Sequence, residues 1–156
     1  MTTGPDATFD DEERRYFETL KDWISRQQAD GIPLGRIEAS LWESASDKNW
    51  LAGPLIAAAG LILDIFITRS ASGAAAERGG NLGEAIDLYE ANVKDEFIGS
   101  HPYERLFRIY FREGRLDDAE RVCRAFLALP RAVRNQREMI EEFLRRIAEQ
   151  RGHSKT

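Results

Sequence analysis

One cysteine, two histidines and two methionines among 156 residues leave little material for redox, metal or nucleophilic chemistry. A single cysteine makes no internal disulfide and falls short of a multi-cysteine metal site. Cationic charge is in deficit as well: 22 Lys and Arg stand against 27 Asp and Glu, a net charge of −5. That balance excludes a nucleic-acid binder as a reading of the whole chain. No stretch alternates apolar and polar residues over strand length, so no strands are expected. The first 15 residues, MTTGPDATFDDEERR, have no apolar run behind basic residues, so no secretory leader is expected there.

Apolar residues, by contrast, are plentiful at 42 %, which separates the chain from disordered sequences. Its length suits one domain and is enough to bury a core without disulfides or a structural metal. Charge is uneven along the chain. Residues 1–50 hold 6 Lys and Arg against 11 Asp and Glu, and residues 131–156 hold 7 against 4. An acidic head and a basic tail attract each other in principle, but two solvated surfaces are the simpler reading.

Helical periodicity organises the rest. Residues 10–30 read as a helix capped by Asp10 with Glu13 as its box partner, carrying Tyr16, Phe17, Leu20, Trp23 and Ile24 and stopped by Gly31. A shorter helix is expected from Pro33 to about Ser46, with Ile37, Leu41 and Trp42 on its apolar face. From Leu51 to Ile67 the only charge is Asp64. This segment reads as the buried helix of a soluble bundle, entered through Gly53-Pro54. The alternative is a transmembrane helix anchored by Trp50 and Arg69. Asp64 is costly in lipid and the length is at the lower limit of spanning, so the soluble reading leads. A small-residue helix is then expected to run to Arg78, followed by helices beginning at Asn81, Ser100 and about Leu116. The last spans about 132–151 and puts Val133, Met139, Ile140, Phe143, Leu144 and Ile147 on one face. Residues 1–9 and 152–156 are expected to be disordered, and His153 falls in that tail.

A shift of 34 residues aligns two stretches without a gap: GGNLGEAIDLYEANV from Gly79 and EGRLDDAERVCRAFL from Glu113. Gly80 falls on Gly114, Leu82 on Leu116, Ala85 on Ala119, Leu88 on Val122, Tyr89 on Cys123 and Val93 on Leu127. Each copy reads as helix, tight glycine turn, helix. This resembles the tetratricopeptide repeat family, whose unit is a 34-residue antiparallel helix pair. The resemblance covers about 66–133. Tyr103, Leu106, Tyr110 and Ala119 sit where the family has its large and small positions. Phe107 and Cys123 depart from the pattern, Pro130 comes one residue early, and Arg69, Ser72 and Ala76 stand where the first copy should be larger. The fold class expected is therefore all-α: stacked antiparallel hairpins in a short solenoid, N-terminal helices at 10–65 and a capping helix at 134–151.

No cofactor or metal is expected and no catalytic group is assigned. His101, beside Ser100 and Pro102 at a helix start, has no nucleophile or carboxylate signalled near it. Cys123 lies on a buried face and reads as a small core residue. The glycine-rich run at 79–83 follows a helix and lacks a Gly-Lys-Ser/Thr ending, so it is a repeat turn and no phosphate loop. One surface stands out. Arg105, Arg108 and Arg112 lie at i, i+3 and i+7 of one helix. The resemblance implies a concave groove lined by the first helix of each hairpin, with His101, Glu104, Arg108, Phe111 and Arg112 facing it. Ser70, Ala74 and Arg78 would join them from the preceding hairpin. Arginines there suit a carboxylate-bearing protein or peptide partner. The expectation is a cytoplasmic, non-enzymatic scaffold that binds another protein, with membrane tethering, a small all-α enzyme or ligand binder, or self-association as alternatives.

Overall fold

The computed structural model describes residues 8–45 and 51–153, and these form seven α-helices and no strand. They are α1 (Asp11–Ala29), α2 (Leu34–Ser44), α3 (Ala52–Arg78), α4 (Leu82–Lys94), α5 (His101–Arg112), α6 (Leu116–Leu127) and α7 (Arg134–His153). The fold class is all-α. Two compact units divide the chain at Ile67 and Thr68, inside α3. The expectations for residues 1–7, 154–156 and Trp50 lie outside the described residues. At the described margins, Phe9 packs edge-on against Phe17 at 5.7 Å, and Gly152 and His153 belong to α7 and not to a tail.

In the N-terminal unit, α1 begins with the expected box: Glu13 N–H donates to Asp10 Oδ1 at 2.8 Å, and Asp10 N–H donates to Glu13 Oε1 at 3.1 Å. It ends at Gly31, whose φ of +81° only glycine adopts without strain. Phe17, Leu20 and Ile24 form its buried stripe, and Leu34, Ile37 and Leu41 form that of α2. Trp42 departs from the expected face; it is exposed, its indole N–H directed to Glu38 Oε1 at 3.4 Å. Helix α3 runs unbroken through Ile67, where a separate small-residue helix was expected to begin. The change there is in composition only, and alanine is the best helix former, so nothing stops the helix.

The C-terminal unit contains the repeated stretches, and the backbones of their glycine turns match. Gly80 and Gly114 have φ of +79° and +73°. Gly80 N–H donates to Glu77 O and Gly114 N–H to Phe111 O, 34 residues on. Asn81 N–H donates to Ala76 O and Arg115 N–H to Tyr110 O, both at 2.8 Å. These pairs close the same helix-ending turn twice. Ala85 and Ala119 are both fully buried, which lets paired helices approach. Gly73 serves the same end: a Cβ on it would meet the Tyr89 ring at 2.6 Å. Helix α5 packs on α4, α6 and α7, and α4 reaches α6. Ser100 stands at the start of α5, as expected, but makes no side-chain cap bond, and Val133 is exposed rather than on the apolar face of α7.

Polar side chains bolt these helices together. Glu77 on α3 receives the Tyr89 hydroxyl from α4 at 2.7 Å and the Arg105 guanidinium from α5 at 2.9 and 2.5 Å. One helix further on, Glu90 on α4 receives Tyr110 from α5 at 2.6 Å and Arg121 from α6 at 2.5 and 3.1 Å. Each glutamate thus ties three consecutive helices. Arg151 extends the series by joining α7 to Glu120 and Asp117 of α6 at 2.7 and 2.5 Å. Arg69 joins the C-terminal half of α3 to Asp95, at the end of α4, at 2.7 Å.

Candidate functional site

A hollow of 290 Å³ opens in the C-terminal unit between α5 and α7. Phe107, Arg108, Phe111, Arg112 and Arg146 line it. Amphipathic spacing puts the first four there. Phe107 is a core position of α5, 1 % exposed, while Arg108, Phe111 and Arg112 follow at the helix margin. Phe107 lies flat on Phe143 of α7, centroids 4.0 Å apart and planes within 4°. That contact fixes the floor. The Arg146 guanidinium sits over Phe107 and Phe111, at 5.5 and 5.1 Å from their centroids.

Electrostatically the hollow is one-sided. Three guanidinium groups line it and no carboxylate does. Arg108 has one partner on the rim, Glu104 at 3.1 Å. Arg112 and Arg146 pair with no carboxylate among the described residues. A second hollow of 390 Å³, lined by Gly114, Arg115, Leu116, Asp117, Asp118 and Arg151, is balanced by contrast. There Arg115 pairs with Asp118 and Arg151 with Asp117.

The structure brings Arg108, Phe111 and Arg112 together, with Glu104 beside Arg108. Arg105 leaves the stripe: it turns to Glu77, and that bidentate bond holds the Glu77 carboxyl below its ordinary range against the opposing effect of burial. His101 is exposed at the start of α5, its ring edge-on to Tyr89 at 5.7 Å. Arg78 is exposed at the end of α3 and outside the hollow. Arg146 was not among the expected residues. The charged face of α7 hides it, because nothing in its own helix distinguishes it from Arg145, which pairs with Glu142.

Chemically the hollow offers donors and rings, and neither a base nor a nucleophile. Cys123 is buried in the core, and burial pushes its thiol up to about 12. Among the described residues no three His, Cys, Asp or Glu side chains gather to hold a metal ion. Compared with family models, curated proteins and solved structures, the chain finds no match.

Proposed function

We propose that this chain is a protein-binding module without chemistry of its own, and that the α5–α7 face receives an acidic segment of a partner. The observation that carries the reading is the hollow of three arginines with no carboxylate in its lining. The matched turns at Gly80 and Gly114 and the equal burial of Ala85 and Ala119 support the likeness to tetratricopeptide repeats. In that arrangement α3, α5 and α7 would line one concave side. The scaffold would act in the cytoplasm. The test is fluorescence anisotropy with a labelled glutamate-rich peptide. Arg108→Ala/Arg112→Ala should weaken binding about tenfold or more, and salt should weaken it further. Unchanged affinity would sink the reading.

A second reading has its own observation. Helix α3 is long and apolar enough to cross a membrane, and only 28 % of its most apolar 18-residue stretch is buried. Ile56, Leu63 and Ile67 are exposed along one side of it. By that reading the same module would be tethered through 51–67.

A further inference from the structure

We infer that the α5–α7 hollow is a phosphate subsite, which takes one phosphorylated side chain of the partner. The inference rests on the protein-binding reading for the source of the phosphate and adds the chemistry of the group recognised. Charge is the first ground. Glu104 engages Arg108 from the rim, which leaves Arg112 and Arg146 unneutralised around one hollow. A carboxylate brings one negative charge to that pair, whereas a phosphomonoester brings roughly −1.5 to −2 at neutral pH. Geometry is the second. Two guanidinium forks from different helices match the several oxygens of a phosphate better than the two of a carboxylate.

Rigidity is the third ground. Arg146 lies over Phe107 and Phe111, and Phe107 is itself stacked on Phe143. A cation seated on ring faces keeps its in-plane N–H groups for an anion, and little side-chain freedom is left to lose on binding. Size is the fourth. A space of 290 Å³ lies at the lower edge of ligand pockets and holds one phosphorylated side chain. A nucleic acid would also have to approach a chain of net charge −5 with a glutamate on the rim of the site. A single phosphate on a polypeptide brings far less charge against both.

The test is anisotropy with three labelled, C-terminally amidated Ala-Gly peptides that differ at one central residue: phosphoserine, glutamate or serine. Phosphoserine should bind about tenfold or more tighter than glutamate, and inorganic phosphate at millimolar concentration should displace it. Affinity should fall as the phosphate protonates below about pH 6. Arg112→Ala and Arg146→Ala should each weaken the phosphopeptide about tenfold, while Arg131→Ala, exposed and outside the hollow, should not. Arg146→Lys, which keeps the charge and loses the fork, should fall between, and thermal melts of each variant confirm folding. Equal affinity for phosphoserine and glutamate overturns the phosphate subsite and leaves the acidic surface standing. Binding to none of the peptides overturns both, and tighter binding of a single-stranded RNA oligomer overturns the polypeptide source.

Discussion

Glu96 is the one non-glycine residue with positive φ among the described residues, at +57°. The reason is a turn it shares with three glycines. Glu96 N–H donates to Val93 O at 3.0 Å and Phe97 N–H to Asn92 O at 3.1 Å, closing α4. Gly31, Gly80 and Gly114 close α1, α3 and α5 in the same way. A side chain with a Cβ costs about 1 kcal/mol or more in the left-handed region, and glycine avoids most of that. Glu96→Gly should therefore stabilise the chain by about 1 kcal/mol and raise Tm by about 2–4 °C. A thermal melt followed by circular dichroism checks it; an unchanged or lower Tm would mean the glutamate side chain holds the turn in some other way. Glutamate is not a residue that marks turns, so this closure leaves no trace in the sequence. The glycine-marked closures were legible because φ demanded the residue type.

The helices themselves were legible because their apolar stripes recur at 3.6 residues, and α1 matches its expected bounds within one residue. The junctions between helices were not. Periodicity assigns faces within one helix, but a bolt such as Glu77–Tyr89–Arg105 draws on three helices, and its members look like ordinary surface acid, core aromatic and groove cation. The candidate site divides along the same line: Arg108, Phe111 and Arg112 share a helix and were found together, while Arg146 arrives from α7. The Glu77 bolt carries a pH dependence. Arg105, and after it the Tyr89 hydroxyl, hold the carboxyl down, with burial opposing. A group whose folded pKa is depressed adds stability above its unfolded value and loses it as pH falls through the folded one. Glu77→Gln should cost roughly 1–2 kcal/mol at pH 7, since it leaves the half-buried Arg105 without a counter-charge. The gap between variant and parent should close as pH drops through the acidic range below 4.5, the ordinary value of this carboxyl. Chemical denaturation at pH 7, 5 and 3 measures the gap, and one that stays constant would mean that the bolt's charge adds nothing.

At the scale of the whole molecule the deciding element is α3, because it alone passes for a membrane span among the described residues. Residues 68–78 of it are committed to the C-terminal unit. Arg69 pairs with Asp95, Gly73 abuts Tyr89 and Glu77 receives Arg105. A segment cannot keep those partners and also lie in hydrocarbon. What remains, 52–67, is 16 residues, or about 24 Å at 1.5 Å per residue, short of the ~30 Å apolar core of a bilayer. One side of that remainder is already covered by protein, with Leu55, Ala58, Ala59, Ile62 and Phe66 all buried. Asp64 lies exposed three residues before Ile67, and a carboxylate inside the apolar layer is costly without a partner. On the soluble reading the exposed Ile56, Leu63 and Ile67 would be apolar surface in water, a liability for solubility that the fold does not need. Expressed in cells, the chain should stay in the supernatant after an alkaline carbonate wash without detergent. Ile56→Ser/Leu63→Ser/Ile67→Ser should keep the fold, at about 0.5 kcal/mol or less per site, and bind less of a hydrophobic dye. Recovery with the membrane pellet, released only by detergent and abolished in the serine variant, would instead make α3 the anchor and reverse the order of the two functional readings.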